Sequence, residues 1–343
     1  MIRQRIAALP AFTARNGRLA LCAAALCMTT ALPAGAGIVK FDVKNAAATD
    51  PTAINDAGVI AGSYEDSGFA SHGFVRAADG TIKSFDAAGA IATQPAAVSG
   101  KGVIAGDYAD SNFTFHGFVR SAHGKVTSFD PTGSILTAGT AINDKGTIAG
   151  YYMDGSGVTH GLERTSDGTI TAFDPKDSTF TIANAIDAKG TIAGYYISSK
   201  DGAYHGFLRS QAGKFKTFSV SGAIVTEANT VNKTRATAGV YADDDGIYHG
   251  FARSAAGAIT TFDPAGAHSS YASSMNDGGT ITGYFSDTSH VQHGFVRAAD
   301  GTITAFDPKG STGTAAYGIN NMGVVTGHWT DSNNTDHGFV LTP

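Results

Sequence analysis

Seven histidines stand in one register along this chain. His72, His116, His160, His205, His249, His293 and His337 are each followed by Gly and then Phe or Leu, at spacings of 44, 44, 45, 44, 44 and 44 residues. Carboxylates keep the same step: Asp42, Asp86, Asp130, Asp174, Asp263 and Asp307 each close a Phe-Asp pair. Imidazole and carboxylate together can bind metal or move protons. A group that occurs once in every copy of a repeat is more simply explained by the copy. Seven separated histidines do not converge on one ion, so each imidazole is read as latching the carboxylate at the neighbouring strand end. A second acidic series, Asp66, Asp110, Asp154, Asp243, Asp287 and Asp331, falls in turns. Turn capping is its expected role, with an acidic face that gathers cations or basic ligands as the alternative. Asp243-Asp244-Asp245-Gly246 hints at a divalent cation such as calcium but lacks the alternating D-x-D-x-D-G spacing, so no cofactor is expected. No G-x-S-x-G, phosphate loop or H-E-x-x-H occurs.

The elements that must position these groups follow from three markers in one register: His-Gly-Phe/Leu, Phe-Asp, and a Gly-x-aromatic series running from Gly62/Tyr64 to Gly327/Trp329. In the copy from Thr140 to Asp174, a short strand Thr140–Asn143 meets an Asp-Lys-Gly turn. Strands Thr147–Tyr152, His160–Arg164 and Thr169–Phe173 follow, separated by Gly-containing turns. Four antiparallel strands per unit, repeated seven times, predict an all-β, seven-bladed β-propeller. A β-helix or solenoid is the alternative, but its coils are usually shorter and not joined by hairpins. The last copy stops after His337–Leu341 without a fourth strand, and Ile38–Asp42 is a spare fourth strand, so the N-terminal strand is expected to complete the last blade and close the ring. The recurring Arg76, Arg120, Arg164, Arg209, Arg253 and Arg297 are read as blade-edge ion pairs or caps, and the second-strand aromatics as packing between blades.

Chemistry particular to this protein is sought where the copies disagree. Four residues before the Ile of each Ile-Asn stretch, or its equivalent, lie Asp50, Gln94, Ala138, Ile182, Glu227, Tyr271 and Ala315; two before it lie Thr52, Ala96, Thr140, Asn184, Asn229, Ser273 and Tyr317. Period two puts both sets on one strand face, at the mouth of a central channel. Asp50, Gln94, Asn184, Glu227, Asn229, Tyr271 and Tyr317 are therefore the candidate ligand-binding residues, against neutral drift in a loop. Asp50 and Glu227 offer a general acid–base pair, and a hydrolase or lyase in the channel is the alternative to a ligand- or partner-binding scaffold. No catalytic residue is assigned.

The units resemble the bacterial HAF-type extracellular repeat family. The match runs through Ala141-Ile142-Asn143, Gly146, Ile148, Gly150-Tyr151, His160-Gly161-Leu162 and Phe173-Asp174, with counterparts in the other copies. The resemblance implies an exported propeller and carries over no catalytic residues.

Composition agrees with that compartment. Residues 1–36 carry Arg3, Arg5, Arg15 and Arg18, an apolar run and Ala34-Gly35-Ala36, which read as a secretory signal peptide, with a retained anchor as the alternative. Cleavage would remove Cys22 and Cys27, the only two cysteines, and leave 37–343 as one domain with 20 basic and 29 acidic residues. A net charge of −9 opposes nucleic-acid binding. A secreted or periplasmic, monomeric chain without membrane insertion is expected, its partner an unknown extracellular ligand or protein.

Overall fold

The computed structural model describes residues 37–343. The signal-peptide reading of 1–36 lies outside the described residues. Those described form an all-β propeller of four-stranded antiparallel blades. Strand β1 (Gly37–Phe41) precedes blade 1, which is β2 (Ala48–Ile54), β3 (Ile60–Glu65), β4 (Ser71–Arg76) and β5 (Ile82–Phe85). Blades 2 to 6 span 90–129, 134–173, 178–218, 225–262 and 267–306. Blade 7 has three strands between 313 and 342, and β1 supplies its outer strand, pairing antiparallel with Asp336–Thr342 from Gly37↔Thr342 to Phe41↔Gly338.

Each blade is a meander from an inner strand at the channel to an outer strand at the rim. The inner strand is longer than the sequence suggests. In blade 3 it runs Ser134–Ile142 rather than from Thr140, because it pairs with Ile148–Asp154 along its full length. It does so across a bulge between Gly139 and Ala141 that leaves Thr140 unpaired. The same register shift recurs in every blade, at Thr52, Ala96, Thr140, Asn184, Asn229, Ser273 and Tyr317. The bulge presses the inner backbone onto the next strand, and this explains the first Gly of the Gly-x-aromatic marker. A Cβ on Gly62 would overlap the Asp50 carbonyl, and one on Gly239 the Glu227 carbonyl.

The Gly of His-Gly-Phe has a different cause. The Phe-Asp ring lies flat over it, so that a Cβ on Gly73 would meet the Phe85 ring at 2.8 Å. Seated there, that ring faces the next blade. Phe85 meets Phe118 edge-on at 6.0 Å, and Phe218 meets Phe251 likewise. Phe74, Phe118, Phe207, Phe251, Phe295 and Phe339 are fully buried by these contacts. The recurring arginines close the stack. Arg76 lies over the Phe41 ring at 4.8 Å and Arg209 over Phe173 at 4.5 Å, each reaching the preceding blade. Ion pairs or caps were the expectation for this series: Arg209 pairs with Glu163 at 2.7 Å, and the other five donate to the next residue's carbonyl at the turn, as Arg76 does to Ala77 O at 3.4 Å; the feature common to all six is the cation over an aromatic face. Ring closure reuses the same contact, because Phe41 of β1 packs edge-on against Phe74 of blade 1 at 6.2 Å.

The latch forms as read. His72 Nδ1 lies 2.9 Å from Asp86, His249 Nδ1 2.9 Å from Asp263, and His337 Nδ1 2.9 Å from Asp42 across the closure. The turn carboxylates cap their turns: Asp66 Oδ1 accepts from the Gly68 and Ala70 amides, and Asp66 Oδ2 approaches His72 Nε2 at 3.6 Å. The second-strand aromatics do more than pack between blades, since Tyr64 also stacks on His72 at 5.1 Å. Blade 4 departs, with His205 held by Ser219 at 2.7 Å and by Asp201 at 3.1 Å.

Candidate functional site

One end of the channel is lined by the Ile-Asn turns, or their equivalents, of all seven blades around a cavity of about 260 Å³, with Asn at the polar position in five blades and Ser99 and Asp187 in blades 2 and 4. There the Asn55 side chain donates to Ser99 O at 2.9 Å, Asn276 to Asn320 O at 3.2 Å, and Asn320 to Asn55 O at 3.0 Å, so the ring continues across the closure. Every asparagine oxygen of this kind also accepts from its own turn, as Asn55 Oδ1 does from Ala57 and Val59. The asparagines are thus fully used in building the ring; Asp187, in the Asn position of blade 4, accepts from the Lys189 and Thr191 amides through Oδ1 and leaves Oδ2 buried without a partner among the described residues.

The other end holds a cavity of about 510 Å³ that is not symmetric. Its walls come from blades 3 to 7, and five of the sequence candidates line it: Asn184, Glu227, Asn229, Tyr271 and Tyr317. Asp50 and Gln94, in blades 1 and 2, lie outside that lining. The proposed pairing of Asp50 with Glu227 is therefore not gathered in one cavity. Asn184 and Asn229 are bulge residues with a second duty: their amides donate to Ala228 O at 3.2 Å and Ala272 O at 3.1 Å, tying each blade to the next. Thr140 does the same toward Ala183 O at 2.6 Å.

Sequence reasoning missed much of the wall. The bulge register sets the residue after each marker Gly directly opposite the inner-strand position already singled out: Ile182↔Tyr195, Glu227↔Val240 and Tyr271↔Tyr284. That second-strand position carries Tyr151, Tyr195, Val240 and Tyr284 in blades 3 to 6, but Ser63, Asp107 and His328 in blades 1, 2 and 7. The residue before each His-Gly, Tyr248 in blade 5, adds a third layer. Both positions vary among the copies, and applying the same test of variability to them would have found the wall. The rings order one another. Tyr271 stacks between Tyr248 and Tyr284, at 5.4 and 5.0 Å, and Tyr317 stands edge-on to Tyr284 at 6.1 Å. Burial keeps the phenols of Tyr195 and Tyr284 protonated far above their ordinary range, and pushes Tyr271 up to about 12.

Glu227 sits among these rings, 8 % exposed. Among the described residues no hydrogen bond or ion pair reaches its carboxylate, and burial pushes its pKa up to about 7. Asp107, beside Tyr151 at the edge of the same wall, is raised to about 7 by the same cause. A groove of about 580 Å³ over blades 5 to 7 shares Tyr248 and Tyr271 with the cavity and carries His268 and His290.

The remaining arc of the mouth is polar. His328 Nδ1 lies 3.0 Å from Asp50 Oδ1, at an angle unsuited to a hydrogen bond, with Asp336 beside them. Tyr317 packs edge-on to the His328 ring at 5.4 Å. Each of the three offers a ligand atom within 4.8 Å of the others, the one such group of three among the described residues. At the Asp243 turn, by contrast, one carboxylate oxygen accepts from the Asp245 and Ile247 amides and the other faces His249 at 3.2 Å.

No sequence-family model matches the chain, and no curated protein matches it in sequence. Solved structures do match in shape. Virginiamycin B lyase from Staphylococcus aureus aligns with a TM-score of 0.60 at 13 % identity, covering 90 % of this chain and 99 % of that one. The β-propeller domain of the trilobed protease from Pyrococcus furiosus aligns at 0.58 and 10 % identity, covering 85 % and 95 %. A lectin from Burkholderia pseudomallei aligns at 0.58 and 12 % identity, covering 87 % and 96 %. At such identities the likeness is one of fold, and the fold it supports is the β-propeller.

Proposed function

We propose that this protein is an exported propeller that binds a small ligand at the asymmetric mouth of its channel. The observation that carries the reading is convergence. Residues that differ from copy to copy, drawn from three strand positions in five blades, meet in one concave, tyrosine-walled cavity. The opposite mouth, made by the same strands, keeps Asn at its polar position in five blades, with Ser99 and Asp187 in the other two. The arginine-rich leader, and the likeness of the units to HAF-type extracellular repeats, support export. The lectin among the structural neighbours is a propeller with a binding role, which agrees with the reading without naming a ligand. The test is a thermal-shift screen of small molecules on the purified protein, repeated on Tyr271→Ala. Ligands that raise Tm in the parent and lose that effect in the variant support the reading; retained shifts refute it. The intact mass of exported protein checks cleavage after Ala36.

The Asp50, His328 and Asp336 group favours a second reading, a hydrolase or lyase assisted by a divalent cation. Imidazole plus carboxylate suits manganese or zinc, and the S. aureus neighbour is a lyase. Elemental analysis decides: one equivalent of metal that disappears in His328→Ala would move the second reading ahead.

A further inference from the structure

The proposed function leaves the ligand class open. Four features of the cavity bear on it. First, Glu227 is 8 % exposed as a residue, lines the cavity, and has no cationic partner for its carboxylate among the described residues. A desolvated carboxylate without a counter-charge costs free energy, and the fold does not require one there, since the matching position holds Ala, Ile or Tyr in four blades, Gln94 in blade 2 and Asp50 in blade 1, the last with His328 beside it. Second, among the described residues no Lys, Arg or His lines the cavity. Third, the groups facing Glu227 are phenols from three elements: Tyr195 on the second strand of blade 4, Tyr248 on the third strand of blade 5, and Tyr271 on the inner strand of blade 6. Burial keeps all three neutral, so they present electron-rich rings and hydroxyl oxygens rather than charge. Fourth, the T-shaped Tyr284–Tyr317 pair turns the stacked wall through a corner, which makes the enclosure a box rather than a flat face.

We propose that the cavity takes a small organic cation, an amine or quaternary ammonium on an apolar body, with Glu227 as counter-ion and the tyrosine rings as walls. The proposal rests on the reading of the mouth as the binding site and specifies its chemistry. The alternative neutral occupant of an aromatic wall is a sugar, which would stack on the rings but would leave the buried carboxylate without its opposite charge.

The protonation of Glu227 gives the proposal a second signature. A cation needs the ionised form. Affinity therefore rises by up to about tenfold per pH unit below 7 and levels off above it. Asp107 titrates over the same range, raised like Glu227 by burial. His268 and His290 stand in the adjoining groove. Asp107→Asn and His290→Gln are therefore the controls that should leave the slope in place.

The probes are choline, benzyltrimethylammonium and phenethylamine, against the neutral 3,3-dimethyl-1-butanol and benzyl alcohol and against methyl α-glucoside. Binding is followed by ligand-observed NMR on the purified protein. The expected result is at least a tenfold preference for the cations, abolished in Glu227→Gln, with neutral compounds unaffected by that change. Preference for neutral compounds or the glucoside, or a cation preference that survives Glu227→Gln, would overturn the cationic class while leaving the mouth as the site. Failure of every probe, with Tyr271→Ala also silent in the broader screen, would overturn both. Should Glu227→Gln fold poorly, the pH profile of the parent protein decides: a flat profile from pH 5 to 8 overturns the proposal.

Discussion

The two ends of the central channel are built by the same seven inner strands, and they are finished in opposite ways. At the Ile-Asn end the side chains repeat, and their polar atoms find partners within the ring: amide to the next blade, oxygen to the home turn. At the tyrosine end the side chains do not repeat, and Glu227, 8 % exposed, has no hydrogen-bond or ionic partner among the described residues. Folding accounts for nearly all of the first end, where Asp187 Oδ2 of blade 4 is the one buried side-chain oxygen of the lining without a partner among the described residues. It does not account for the second, where an ionisable group lies desolvated at a cost to stability. Repetition with saturated bonding marks residues that build the ring; variation with an unsatisfied bond marks residues that await something from outside.

The largest test removes a piece of the building side. Deleting 37–42 strips the outer strand from blade 7 and takes away Phe41 from the Phe74 ring and the Arg76 guanidinium, Asp42 from His337, and Lys40 from the Trp329 face at 3.6 Å. Loss of a fully buried Phe costs about 3–5 kcal/mol; Phe41 is half-buried, but its loss comes with that of a whole strand pairing, so Tm should fall by about 10 °C or more. An unchanged melting curve would show that β1 is not the closing strand.

The next test works on the other side and has the opposite sign. Glu227→Gln should stabilise the protein. In the folded chain the carboxyl titrates at about 7 instead of 4.5, so the native state holds a proton between those values that the unfolded state has released. Stability of the parent therefore falls as pH rises from about 4.5 to 7. The variant escapes that loss, and its advantage should grow from near zero at pH 4 to at most about 3 kcal/mol at pH 8. Denaturant melts at the two pH values check it. A variant less stable than the parent at pH 8 would mean that Glu227 has a structural partner, and the contrast between the two ends would collapse.

How much of this was legible in the sequence depended on copying. The blades, the His–Asp latch and the closure could be read because seven copies average away local accident, and because a strand missing at one end was present at the other. The bulge could not be read, since nothing in Thr140 or Asn184 announces that a strand will skip them. Yet the bulge fixes which second-strand residues face the mouth. Hence Glu227, Tyr271 and Tyr317 were found from the inner strand, while Tyr195, Tyr284 and His328 were passed over as the variable letter inside a repeated marker. The arginines were read as ion pairs or caps, and their contact with a ring was missed for a related reason. Their partner is a ring in the preceding blade, exposed to them only because it lies over a glycine.

A smaller effect is expected from one latch. In His72→Gln the imidazole no longer holds Asp86, whose hydrogen bond raises the His72 pKa. A histidine with a raised folded pKa lends stability that is full below its unfolded value of 6.5 and is lost as pH climbs through the folded value. The variant should thus cost about 1 kcal/mol at pH 6 and less at pH 8. A cost that grows with pH would contradict the latch.

The smallest expected effect is a repair. Blade 4 alone carries Ser219 where the other latches have Asp, and His205 there takes Asp201 on its other nitrogen. Ser219→Asp would replace a neutral contact by a charge-assisted one at a latch that is 22 % exposed on its histidine. A partly exposed pair of this kind is worth no more than about 1 kcal/mol, and salt should screen part of it. The site lies among the repeated latches and outside the tyrosine cavity, so a gain in Tm should come with unchanged ligand shifts at the mouth. If restoring the repeat instead altered binding there, the latch series and the mouth would be energetically coupled, and repetition could no longer be taken as the sign of a purely structural residue.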